Sequence, residues 1–200
     1  MSARPALLAV LLSCSLPLAA KTDRFTLDPV HTQVYFLASH LGFSHSLGKF
    51  AKFSGEFTFD RDDWSSAKLD ATVDVTTLYM GDAGWEKKLL SDSFFDAKQY
   101  PTARFVATKL VRDGNADRGK LEGQLTLHGV TRPVVFDLTM NRIGVHTFSL
   151  KYVAGFSAHA TIKRSDFGMR TQLPAVGDEV EIRLEVEGLR DKGKSGDKES

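Results

Sequence analysis

A single cysteine, Cys14, occurs in the 200 residues. It falls inside an N-terminal stretch that reads as an export signal, so the mature chain is expected to carry no disulfide and to be held by packing. An excess of one charge is equally missing. Lys and Arg number 26 against 25 Asp and Glu; Arg4 is the lone charged side chain before Lys21, and without it the balance is zero. The basic stripe that phosphate binding needs is absent, which argues against nucleic acid as partner. After the signal, no apolar run approaches the roughly 20 residues of a spanning helix. Phosphate-cradling glycine loops, an H-E-x-x-H signature and repeats of solenoid length are missing too. The composition, 42% hydrophobic and 26% charged, suits a soluble globular chain of about one domain.

The first segment supplies an address. Residues 1–20 read as a signal peptide: Arg4, an apolar stretch from Ala6 to Leu12, and small Ala19 and Ala20 before charged Lys21-Thr22-Asp23-Arg24. Export to the periplasm is the expectation. Leu11-Leu12-Ser13-Cys14 also resembles a lipoprotein signal, with Cys14 as the anchored residue. Residues 21–189 form the folded domain, and 190–200, RDKGKSGDKES, read as a disordered polar tail.

Phenylalanine is what the chain has in quantity, fourteen residues against four Tyr and two Trp. Most of them fall into two-residue alternation. Phe53, Gly55, Phe57 and Phe59 share one strand face, with Lys52, Ser54, Glu56 and Thr58 on the other. The same split recurs around Leu69–Val75, Leu121–Leu127, Val134–Met140, Phe156–Ile162 and Val180–Val186. With Phe25–Asp28, Thr32–Ser39 and Ala103–Val111, the chain predicts an all-β fold of about eight antiparallel strands, stacked as a sandwich or closed as a barrel. Two segments break the pattern. Residues 39–49, SHLGFSHSLGK, predict a helical turn or loop. In residues 81–101, Asp82 caps a short helix carrying Trp85, Leu89 and Leu90, followed by Phe94 and Phe95.

Six histidines raise the question of a metal or a nucleophile. His31, His40 and His45 match no zinc spacing and have no cysteine companions, so no metal and no catalytic residue are assigned. His31 and His40 are expected to hydrogen-bond the ends of the second strand. Gly42-Phe43-Ser44-His45-Ser46 lacks the second glycine of a nucleophile elbow.

Several motifs carry a resemblance. Leu27-Asp28-Pro29-Val30-His31-Thr32, Gly48-Lys49-Phe50 with Phe53-Ser54-Gly55, Leu89 to Asp96 running to Tyr100-Pro101, Leu127 to Val134, and Ile162 to Gly168 together resemble the YceI-like family over residues 23–189. Lys163 stands where that family usually has asparagine. The resemblance implies an extended eight-stranded lipocalin-like barrel, usually periplasmic, that holds an isoprenoid or similar lipid. No cofactor is expected beyond that bound lipid or quinone. Ligand contact is expected from Phe36, Phe53, Phe57, Phe59, Val73, Phe105, Leu125, Phe136, Phe156 and Ile162, with Trp85, Leu89, Phe94 and Phe95 forming a lid near one end. The chain then reads as a non-enzymatic lipid carrier. Two alternatives stay open: an acyl or amide hydrolase using the His40–His45 loop, and a solid β-domain acting through its surface. The number of copies in the assembly is also open, a dimer included.

Overall fold

The computed structural model describes residues 22–191, so the signal-peptide reading of residues 1–20, Cys14 included, lies outside the described residues. Within them the strands are β1 (Asp23–Leu27), β2 (Gln33–His40), β3 (Ser44–Phe50), β4 (Phe53–Phe59), β5 (Lys68–Asp74), β6 (Leu78–Tyr79), β7 (Thr102–Arg112), β8 (Arg118–Leu127), β9 (Val130–Val145), β10 (Tyr152–Lys163) and β11 (Val176–Arg190), with one α-helix, α1 (Ala83–Leu90). The antiparallel order β1-β4-β5-β7-β8-β9-β10-β11 closes through β1 against β11, giving an eight-stranded barrel. Strands β2, β3 and β6 continue that barrel upward. β1 and β2 lie in turn along the long β11, with Phe25 opposite Arg190 and Phe36 opposite Ile182. Likewise β3 runs into β4 through Ala51-Lys52, and β5 reaches β6 through the short 3-10 turn Val75–Thr77. Three staves of the barrel are thus long strands with a bend.

Alternation explains why these segments are strands and which way they face. In β8, Gly119, Leu121, Gly123, Leu125 and Leu127 are buried while their neighbours are not; in β10, Ala154, Phe156, Ala158, Ala160 and Ile162 repeat the pattern. The base is closed by the 3-10 turn Trp64–Ser66, whose first turn is capped by Asp63, and Trp64 is buried beneath it. At the other end lie α1 and the chain to Pro101, the β8–β9 turn, and residues 164–175.

Two expectations are corrected. Residues 39–49 are a β-hairpin, with His40 opposite Ser44 and Phe36 opposite Gly48; Leu41 and Gly42 take left-handed φ of 54° and 75° to make the turn. The inward positions Ser46 and Gly48 are too small to look like a core face. Residues 190 and 191, expected in the tail, belong instead to the end of the barrel. Arg190 completes β11 and reaches Asp23 at 3.3 Å, while Asp191 accepts from the Thr26 hydroxyl at 2.8 Å. The remainder of the expected tail, residues 192–200, lies outside the described residues. No helix among the described residues is long and apolar enough to cross a membrane.

Candidate functional site

The inward strand faces do not meet. They enclose a cavity of about 350 Å³, within the range of small-molecule pockets. Every residue named from the sequence as a ligand contact lies on its wall: Phe36 on β2, Phe53, Phe57 and Phe59 on β4, Val73 on β5, Phe105 on β7, Leu125 on β8, Phe136 on β9, Phe156 and Ile162 on β10, and Trp85, Leu89, Phe94 and Phe95 from the segment beside the opening. Their position is thereby settled, while their contact with a ligand belongs to the proposal below.

Aromatic packing differs from one end to the other. At the base a chain of rings runs Tyr152, Phe25, Phe57, Phe156, Phe59, Trp64, with successive centroids 6.4, 4.9, 5.8, 5.1 and 5.5 Å apart. Arg190 covers Tyr152 at 4.1 Å and Arg112 covers Trp64 at 5.1 Å, so each end of the chain meets a cation. Rings at these separations pack as a floor. Halfway up, Phe105 meets Phe136 edge-on at 5.1 Å. At the top, Phe36, Phe50 and Phe95 form a triangle with centroids 5.8 to 6.0 Å apart, and His40 meets Trp85 at 5.7 Å. His40 therefore packs on an aromatic edge, and the expected hydrogen bond to the end of β2 is replaced by this contact. Trp85, Lys88 and Gln172 are on the cavity wall and exposed to solvent, which marks the mouth.

Glycines beneath the wall rings have a steric reason. A Cβ on Gly48 would lie 2.5 Å from the Phe36 ring and the Met80 sulfur, and one on Gly123 would lie 2.3 Å from the Phe105 ring. Each ring thus covers a glycine on the adjoining strand, an arrangement that packs a curved sheet.

Several polar residues of the wall are already engaged. Arg104 pairs with Asp70, and the Thr32 hydroxyl donates to the Glu187 carbonyl at 3.1 Å. Arg164 is buried and donates to the carbonyls of Gly177, Met169, Thr171 and Val176 at 2.8 to 3.0 Å. Burial pulls its guanidinium below the ordinary value, against a smaller upward pull from Asp178. Its fork therefore clamps residues 169–177 over the barrel. His128 Nδ1 lies 3.1 Å from the Phe167 carbonyl, and the Tyr100 ring sits 4.7 Å from the His128 ring. The Tyr100-Pro101, Leu127–Val134 and Ile162–Gly168 motifs thus converge at the mouth end, where they hold its frame. Lys163 is exposed there and takes no part in the clamp.

One cluster stands apart. His31 Nδ1 lies 2.9 Å from Asp28 Oδ2 and 3.8 Å from Glu187 Oε2, at the bend between β1 and β2. The Asp28 carboxylate also accepts from the Val30 amide at 2.8 Å, so hydrogen bonding within the bend accounts for it. The hairpin that carries His40 and His45 gives neither side chain a serine or carboxylate hydrogen-bond partner among the described residues. Phe50, Met80, Met169 and Gln172 also line the cavity and were not anticipated. They lie in or beside segments without strand alternation, so periodicity offered no signal for them.

Known proteins resemble this chain in sequence and in architecture. Residues 25–188 match the family described as the YceI-like domain. A UPF0312 protein of Pectobacterium carotovorum is 35% identical over 184 residues, covering 92% of this chain and 94% of its own. BcnA of Burkholderia cenocepacia superposes with a TM-score of 0.73 at 26% identity, over 80% of this chain and 98% of its own. A polyisoprenoid binding domain from Saccharophagus degradans, implicated in plant cell wall breakdown, has a TM-score of 0.63 at 16% identity, over 84% and 98%; at that identity the likeness is one of fold.

Proposed function

The chain belongs to the YceI-like family, and from that premise we propose that it is an exported, non-enzymatic carrier that sequesters one isoprenoid lipid, a quinone or prenyl lipid, in the barrel. The observation that carries this reading is the cavity of about 350 Å³, walled mostly by apolar side chains. A branched isoprene chain has no hydrogen-bonding group to satisfy, so a dry aromatic slot suits it. Ser39, His40, Ser46 and Gln172 at the mouth supply donors and acceptors where a quinone ring or headgroup emerges. Removing about 500 Å² of chain surface from water is worth roughly 12 kcal/mol gross, against an association cost of about 4 to 15 kcal/mol. The preformed barrel lowers the cost side. The name of the Saccharophagus degradans neighbour supports the lipid class, and the N-terminal signal supports a periplasmic address.

The test is organic extraction of the purified full chain followed by mass spectrometry. One isoprenoid lipid per protein is expected. An empty barrel together with turnover of ester or amide substrates would overturn the carrier and favour the hydrolase.

A further inference from the structure

Hydrogen bonding within the bend between β1 and β2 accounts for Asp28 and His31 but leaves Glu187 over. The Asp28 carboxylate accepts from His31 Nδ1 at 2.9 Å and from the Val30 amide at 2.8 Å. Glu187 Oε2 lies 3.8 Å from the same Nδ1, and its carboxylate has no hydrogen-bond donor among the described residues. A ring nitrogen carries a single hydrogen, so it serves one of the two carboxylates and not both. The three donor atoms, Asp28 Oδ2, His31 Nδ1 and Glu187 Oε2, lie within 4.8 Å of one another.

The backbone holds these positions together. The Asp28 amide donates to the Glu187 carbonyl at 2.8 Å, and the Thr32 amide to the Asp28 carbonyl at 3.1 Å. The Thr32 hydroxyl donates to the Glu187 carbonyl and accepts from the Glu187 amide, each at 3.1 Å, so the bend and β11 are tied at the cluster itself. Asp28 is 7% exposed, while His31 and Glu187 border a groove of about 320 Å³ on the outer side of β10 and β11. None of the three lines the barrel cavity. The other charged or titratable groups of that groove are Glu185, which accepts from the Ser157 hydroxyl at 2.5 Å, Arg142 and His146. Neither Arg142 nor His146 pairs with Glu185 or Glu187 among the described residues.

We propose that Asp28 Oδ2, His31 Nδ1 and Glu187 Oε2 are the protein ligands of a zinc-type divalent cation, with water from the groove in the fourth position. Two carboxylates and a neutral imidazole balance a dication, and a mixed nitrogen and oxygen set suits zinc. Tetrahedral donors at about 2.0 to 2.2 Å from the metal stand about 3.3 to 3.6 Å apart. The 2.9 Å separation of His31 from Asp28 opens and the 3.8 Å separation from Glu187 closes, both within reach of side-chain rotation. The imidazole hydrogen then sits on Nε2. Calcium fits poorly, because it takes about six to eight oxygens and the cluster offers two carboxylates. The ion would staple the bend to β11 from outside the barrel, so the proposal is independent of the carrier reading.

The experiment is calorimetric titration of the untagged full chain, stripped with a chelator, with zinc chloride. One zinc per chain is expected, with a rise in melting temperature on binding. Glu187→Gln, which keeps the backbone bonds of the frame, and His31→Ala should each weaken binding at least about tenfold, the loss that even outer-shell partners of a metal cause, and should cancel the rise. The groove variants Arg142→Ala and His146→Ala should bind as the parent does. Nitrogen NMR of the histidine rings gives a readout that packing alone does not move: zinc should shift Nδ1 of one histidine, the one missing from His31→Ala. No binding, binding that survives both Glu187→Gln and His31→Ala, an equal loss in His146→Ala, or equally tight binding of calcium would each overturn the proposal.

Discussion

The Asp28–His31 pair sits where β1 bends into β2, and its two pKa shifts act over different pH ranges. Burial pushes the Asp28 carboxyl upward, yet the hydrogen bonds from His31 and the Val30 amide outweigh it and hold the group below its ordinary 3.8. Bonding to Asp28, with its charge, raises His31 above 6.5. A raised histidine contributes stability that is complete below its unfolded value and lost as pH rises through its folded one. A depressed carboxylate contributes above its unfolded value and loses it as pH falls through its folded one. Both contributions are therefore present between 3.8 and 6.5. The melting temperature of His31→Asn should fall below that of the parent near pH 5, and the gap should narrow above the raised His31 value. Thermal unfolding across that range checks it, and a gap independent of pH would mean that the ring acts through packing alone.

At the level of elements, the segment from Gly81 to Pro101 divides into two parts. α1 has an N-cap in Asp82, and none of its own residues is buried. The turn after it is fixed: Phe94 is 6% exposed, and the amides of Phe95 and Ala97 donate to the carbonyls of Leu89 and Leu90 at 2.9 and 3.1 Å. Packing thus differs between neighbouring pieces of chain, α1 lying on the surface and the turn after it being held in the interior. Phe94→Ala should cost about 3 to 5 kcal/mol in denaturant unfolding, as removal of a packed ring does. Leu89→Ala should cost under about 2 kcal/mol and speed lipid release; unchanged release in a folded Leu89→Ala variant would leave α1 a static part of the wall. The helix was legible in the sequence because its cap and apolar spacing are local signals. β3 was not, because strand reading relies on large apolar residues at alternate positions, and here the inward positions are Ser46, opposite Ala38, and Gly48, which stays small where Phe36 crosses it. The long staves were legible only in pieces, since the bends at Asp28–Thr32, Ala51-Lys52 and Val75–Thr77 look like strand ends. Alternation could mark inward faces, so the wall residues were readable, but it could not tell a filled interior from an open one.

For the molecule as a whole, that difference sets how the barrel divides its interior between stability and binding. Phe57, Phe59 and Phe156 lie on the cavity wall and within the ring chain of the base at once, so they end the slot and hold the floor. Phe36 and Phe95 stack on each other and on Phe50 at the mouth and remain half-buried. A ligand chain entering at the mouth is accordingly limited in length by the floor. Phe57→Ala should cost about 3 to 5 kcal/mol and deepen the slot, shifting the bound lipids toward longer chains. Phe57→Leu, which keeps most of the volume and costs under about 2 kcal/mol, guards against loss of folding and should give a smaller shift in the same direction. Phe36→Ala should cost less than Phe57→Ala and widen the mouth without changing chain length. Mass spectra of solvent extracts from the three variants, beside their unfolding curves, decide the matter. The same chain-length distribution in Phe57→Ala, Phe57→Leu and the parent would show that the lipid stops above the ring floor and that Phe57 serves packing alone.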